Sequence, residues 1–203
     1  MQIIALLKTF IYLIASSLFL PVLFILACLF VWMLVYSGSF FRTWLDRRRN
    51  GKDPETLPEK ILAGTWEGDL PLSVARVLKK LEGLTGPADE VRVLNLLRDA
   101  EHGMWKSLDT LKMIIRIGPG LGLIGTLIPM GTGLAALGQG DLGQLSQDLV
   151  VAFTTTVVGM ALGLLAYFFF TVQRRWVEQD IKNLELAAEL LTRKDTTRKE
   201  TRG

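Results

Sequence analysis

Three consecutive threonines, Thr154, Thr155 and Thr156, stand in a stretch without a charged residue, 149–173. Thr126 and Thr132 occupy a second such stretch, 117–140. A hydroxyl can donate and accept a hydrogen bond. Unlike a carboxylate or an imidazole, it does not titrate near neutrality. These side chains can therefore assist a proton or an ion but cannot carry the proton themselves. Any one of them could simply bond back to its own helix. Three in a row point in different directions, so at least one must face protein or water. An acid or base inside the membrane is the usual mark of an ion relay, and neither stretch holds one. If this chain moves protons, the titrating carboxylate is expected from another chain.

Other chemistries are excluded by what is missing. The single cysteine, Cys28, and the single histidine, His102, build neither a disulfide framework nor a metal site. No metal and no cofactor is expected, and no pair of acids, His or Cys is placed for catalysis, so the chain reads as no enzyme. His102 lies among charges and reads as solvated. The run Gly120-Leu121-Gly122-Leu123-Ile124-Gly125 fits G-x-G-x-x-G. A dinucleotide site needs a strand before it and an acid about 20 residues on; here the run lies inside a charge-free stretch. A net charge of +3 is too small to argue for nucleic acid.

The elements that must position the threonines are transmembrane helices. Half of the residues are hydrophobic, the mean hydropathy is +0.35, and a third charge-free stretch covers 9–41. About 20 helical residues cross a bilayer core. The sequence predicts an all-α membrane protein with three spans: 14–36, 114–137 and 149–171. An interfacial segment, 1–13, precedes the first. A cleaved signal would not need the apolar run to continue as far as Phe41. Aromatic residues Trp32, Tyr36, Phe40, Phe41 and Trp44 close the first span at headgroup level.

Residues 42–112 form a polar region of nearly balanced charge, read as helical. Turn signals stand at 50–54 and 83–87. Leu72, Val74, Val77, Leu78, Leu81 and Leu84 suit an amphipathic helix. A second helix over 89–115 is expected to run into the second span, interrupted near Gly103. A connector, 138–148, carries Asp141 and Asp148 but no Lys or Arg. A tail, 174–203, is helical to about Leu191 and disordered beyond. Basic residues flank the opposite ends of the spans: Arg42, Arg47 to Arg49, Lys106, Lys112, Arg116, Arg174 and Arg175. By the positive-inside rule the polar region and the tail are cytoplasmic and the N-terminus is outside.

The second and third spans each carry a stripe of small residues at steps of three and four, which keep to one helix face. The second has Gly118, Gly122, Gly125, Pro129, Thr132 and Ala136. The third has Ala152, Thr156, Gly159, Gly163 and Ala166. In lipid, helices associate through close backbone approach at small residues. Two readings stay open at this point: the stripes pack the two spans as a hairpin, or they also pack neighbouring subunits or a partner helix around a shared axis.

Residues Gly118 to Thr126 (Gly-Pro-Gly-Leu-Gly-Leu-Ile-Gly-Thr) resemble the second-span motif P-x-L-G-L-L-G-T-V of the MotA/TolQ/ExbB proton channel family. Residues Val151 to Gly163 resemble its third-span motif, A-L-x-T-T-A-x-G-L. The specific likeness covers 117–175; the rest agrees in topology. The resemblance implies a homopentamer in the cytoplasmic membrane around a dimer of a single-span partner, an ExbD-, TolR- or MotB-like protein. An aspartate of the partner carries the proton, and proton flow turns the pentamer to do mechanical work. By motif position Thr126 and Thr156, with Thr155 beside them, line the proton path, and Pro119 opens the second span. The small stripes (Gly118, Gly122, Gly125, Pro129, Thr132, Ala152, Gly159, Gly163) would line a channel holding the partner helices.

One position departs from the family pattern. ExbB- and TolQ-like members tend to carry a glutamate five residues before the third-span threonine; here it is Val151, and the nearest acid is Asp148. Flagellar stator members usually have four spans, so an ExbB-like energiser of transport or envelope work is the favoured reading. A non-transporting scaffold and a stator-like ion motor are the alternatives.

Overall fold

In the computed structural model, residues 2–49, 72–81 and 90–200 are described, and every element among them is an α-helix. They are α1 (Gln2–Arg49), α2 (Leu72–Leu81), α3 (Glu90–Lys106), α4 (Asp109–Gly138) and α5 (Leu142–Glu200). Three stretches are long and apolar enough to cross a membrane: Ser16–Arg49, Val91–Gly138 and Leu142–Leu190. The turn signals expected at 50–54 and 83–87 fall outside the described residues.

The chain divides into two compact units, Met1–Phe41 with Thr110–Phe170, and Arg42–Asp109 with Thr171–Gly203. In the first unit, one stripe of α1 is buried (Val22, Leu26, Met33, Phe40) and the remaining large side chains are mostly exposed. Apolar exposure over such a length suits lipid rather than water. Ring contacts hold α1 to α5: Phe40 lies 4.6 Å from Phe169 and Tyr36 5.7 Å from Phe169, while Trp32 stacks on Tyr36 at 4.9 Å. The aromatic group expected at headgroup level thus also packs one helix on another.

The second unit is built by the rules of a water-soluble fold. Val74 and Leu78 of α2 meet Leu184, Ala187 and Ala188 of α5, with Val93, Leu96, Leu97, Ala100 and Met104 of α3 packed against them. Arg47, at the end of α1, forms a two-pronged ion pair with Asp180 of α5, at 3.1 and 2.5 Å. The same guanidinium lies over the Trp176 ring, 5.0 Å from its centre.

Four boundaries differ from those read in the sequence. No break separates residues 2–13 from the first span; α1 is continuous through Pro21. The interruption before the second span falls at Ser107 and Leu108, not near Gly103, with the Ser107 hydroxyl donating to the Met104 carbonyl at 2.6 Å. The connector is only residues 139–141. Gly140 takes a positive φ of 80°, and the Asp141 carboxylate caps α5 by accepting from the Gln144 N–H at 2.9 Å. A left-handed glycine followed by an acidic N-cap ends one helix and starts the next within three residues. At the other end α5 continues to Glu200 instead of stopping near Leu191. The tail is rich in Arg, Lys and Glu, whose helix propensities are high.

Candidate functional site: the α4–α5 hairpin

The two stripes face each other. Gly118, Gly122, Gly125, Pro129 and Gly133 of α4 are buried. So are Ala152, Thr155, Gly159, Leu162, Gly163 and Ala166 of α5. How close the backbones come is measured by the space for a side chain. A Cβ on Gly159 would stand 2.7 Å from the Gly118 carbonyl oxygen and 2.7 Å from the Gly122 Cα. One on Gly118 would stand 3.1 Å from the Gly159 oxygen, and one on Gly163 would stand 2.9 Å from the Pro119 ring. Only glycine fits such a seam, and the close approach supplies dispersion contacts in place of the hydrophobic effect.

This seam accounts for the stripes as hairpin packing. Gly118, Gly122, Gly125, Gly159 and Gly163 turn toward the other helix of their own chain. Within the single chain they follow the hairpin-packing reading of the two left open above.

The threonines divide by position. Thr155 is 4% exposed and lies in the seam against Gly125, where a Cβ would come within 2.8 Å of the Thr155 side chain. Its hydroxyl donates within its own helix, to the carbonyls of Ala152 at 2.9 Å and Val151 at 3.1 Å. Thr154 is exposed and donates to the Val150 carbonyl at 2.7 Å. Thr126 and Thr156 are half-buried. Thr126 donates to Leu123 at 2.7 Å, and Thr156 reaches the Ala152 carbonyl at 3.4 Å. In sequence they directly follow Gly125 and Thr155, the two residues in contact. So a hydroxyl from each helix flanks one level of the seam, each with unused acceptor capacity.

Thr132 is placed differently. Its hydroxyl lies 2.7 Å from Oδ2 of Asp148 and 3.0 Å from the Pro129 carbonyl oxygen. The other carboxylate oxygen, Oδ1, accepts from the Gln144 amide at 3.0 Å. Because α5 begins at Leu142, Asp148 belongs to the helix and is half-buried against α4, beside Gly133. The expectation that Asp148 lies in a connector is therefore corrected: it stands on α5, one residue before the charge-free stretch.

Among the described residues no group of His, Cys, Asp and Glu could hold a metal ion. His102 and Cys28 are both exposed.

Comparison with known proteins gives three findings. The MotA/TolQ/ExbB proton channel family matches residues 76–186, more than half of the chain. A putative biopolymer transport protein ExbB homolog of Methanothermobacter thermautotrophicus is 32% identical over 84 residues. That match covers 41% of this chain and only 30% of the relative. No solved structure matches.

Proposed function

Because the chain belongs to the MotA/TolQ/ExbB proton channel family, we propose that it is the multi-span subunit of a proton-driven, ExbB-like motor. In this reading copies of the chain surround a dimer of a single-span protein whose membrane helix carries an aspartate. The basic residues beyond the spans lie in the cytoplasm, with the N-terminus and the 139–141 connector outside the cytoplasmic membrane. Five copies and an ExbD- or TolR-like partner are what the family resemblance implies. The chain acts without a cofactor and catalyses no covalent chemistry.

The observation that carries the proposal is the pair Thr126 and Thr156. Both sit at the same level of the hairpin, where neither helix carries a charge, half-buried, with hydroxyls that donate within their own helix turns. A carboxylate alone in such a layer must be neutral, because a buried unpaired charge is costly. Near a hydroxyl it is stabilised in either state, since the hydroxyl accepts from the acid and donates to the carboxylate. As the partner's aspartate passes from water to the apolar face and back, the threonines mark where it exchanges its proton.

The test is proton uptake by vesicles holding the chain in complex with its single-span partner. A hydrogen bond worth roughly 1 kcal/mol net corresponds to about five- to tenfold in rate. Thr156→Val is expected to reduce flux by that factor with the complex intact. Unchanged flux in both Thr126→Val and Thr156→Val would take the threonines off the path, and absence of flux through the wild-type complex would favour a scaffold that packs helices and transports nothing.

A further inference from the structure

We propose that the groove between α3 and α5 is the docking site for α2 of a second copy of this chain, whose basic face fits the groove's acidic rim. The proposal rests on the assembly of copies in the reading above and is independent of the proton path. The groove lies within the polar unit and has a volume of about 400 Å³. Its floor is apolar, from Leu94, Leu97, Ile181 and Leu184. Its rim carries Glu101, Glu185 and Glu189 against one base, Arg98, and all four are exposed. The apolar surface continues past the groove: Leu94 is 49% exposed and Val91, one turn before it, 68%. Adjoining apolar side chains left open to water mark an interaction surface.

The charges say what covers it. α2 reads Leu-Ser-Val-Ala-Arg-Val-Leu-Lys-Lys-Leu, with three bases and no acid. Val74 and Leu78 are sealed in the core that α2 shares with α3 and α5. Helical geometry puts Arg76, Lys79 and Lys80 on the opposite face, and all three are exposed. Within one chain the hold on Val74 and Leu78 turns these bases away from the core helices. The basic face and the acidic groove are thus both present in a single chain but meet only between two.

The spacing matches as well as the sign. Arg76 and Lys80 stand four residues apart, and so do Glu185 and Glu189. Like charges one turn apart repel within a helix; two strips of opposite sign laid together relieve both. The aliphatic stems of Arg and Lys can lie on the apolar floor while their heads reach the rim. Exposed ion pairs are weak one by one, so here they select the face and its register more than they supply affinity. Because groove and basic face are different surfaces, the contact is head-to-tail. Contacts of that kind close a ring of copies when the rotation between neighbours permits.

The probe is the chain itself. Two full-length versions, both Cys28→Ala and one carrying a tag, are co-expressed in membranes, one with Lys79→Cys and the other with Leu94→Cys. A flexible thiol crosslinker is expected to join them into a heterodimer, in a yield that falls as salt rises. Arg76→Glu with Lys80→Glu, in both versions, should lower the yield roughly fivefold, the scale of a few reversed exposed pairs. Glu185→Lys with Glu189→Lys should do the same, and all four together should restore most of it. Helix content measured on each variant shows that it is folded. The proposal is overturned if a complex of multimeric native mass gives no crosslink; assembly then stands, and the groove is left to a basic segment of another protein. It is overturned equally if the four reversals together fail to recover what each pair loses. A native mass of one copy overturns it along with the assembly it rests on.

Discussion

The apolar hairpin and the polar unit hold their helices together in opposite ways. In the hairpin α4 and α5 meet backbone to backbone, through Gly118, Gly122, Gly159 and Gly163, and the Asp148 carboxylate joins them only at the connector end, through Thr132. In the polar unit the helices meet through Val74, Leu78 and Leu184 and through the Arg47–Asp180 pair. The solvent explains the difference. In water, burying aliphatic surface is itself favourable. In lipid, the surroundings are as apolar as leucine, and helices gain only by fitting closely. One chain therefore packs its helices through leucine in the polar unit and through glycine in the apolar hairpin, and α5 does both in a single helix.

The largest effect is expected at the ion pair. Asp180 is 5% exposed, so Arg47→Ala would leave a buried carboxylate without its partner. Such losses cost about 3–5 kcal/mol; the partial exposure of Arg47 puts this one near the lower end. Arg47→Lys should recover only part of it. A lysine keeps the charge but not the two-pronged fork or the stacking on Trp176. Reversible unfolding in mixed micelles, followed by Trp fluorescence, reads both values. If Arg47→Ala costs less than Gly159→Ala, the polar clasp is not the stronger of the two.

The seam comes next. Gly159→Ala would put a methyl group 2.7 Å from backbone atoms of Gly118 and Gly122, which can yield only if the helices separate. Overpacking of this kind typically costs about 1–3 kcal/mol. Gly125→Ala should cost less. Its clash is with the Thr155 side chain at 2.8 Å, and a side chain can shift more readily than a backbone. Equal costs at the two positions would mean that the hairpin separates as a whole. A ranking of Gly159 above Gly125 would place the tightest point where the two backbones touch.

What was legible in the sequence follows the same division. The hairpin could be read because its signal is local and periodic. Glycines at three- and four-residue steps fix a face, and the seam uses Gly118, Gly122 and Gly159 on those faces. Asp148 is harder to place from sequence, because the polar stretch 138–148 reads as one connector while the structure keeps only 139–141 outside the helices. The cap that shortens it depends on a positive φ at Gly140 and on one side-chain bond from Asp141, and neither has a periodic signature. The Arg47–Asp180 pair could not be read at all. The two residues lie 133 positions apart, on helices whose charge patterns read equally well as solvated faces. The resemblance pointed to the threonines but not to their differences. Thr155 is sealed in the seam while Thr126 and Thr156 stand at its edge, a distinction that follows from the rotation of α5 about its axis.

The smallest effect is expected on the other face of α4, where its outcome separates a lone hairpin from an assembled one. Gly120, Gly131 and Gly138 repeat at eleven and seven residues, which returns to nearly the same side of a helix, and a Cβ at any of them meets nothing within 4 Å. Within a single chain these glycines do no packing. Gly120→Ala and Gly131→Ala should change hairpin stability by less than about 0.5 kcal/mol. If the proposed motor is right, copies of the chain or the partner's helices must lie against some face of the hairpin that the chain itself leaves open. Crosslinking yield and native mass of the complex then give the comparison its sharpest form. Unchanged stability with lost assembly in Gly120→Ala would make this second glycine face the contact between chains. Unchanged stability with full assembly would turn it to lipid and leave the half-buried edge at Thr126 and Thr156 as the meeting place.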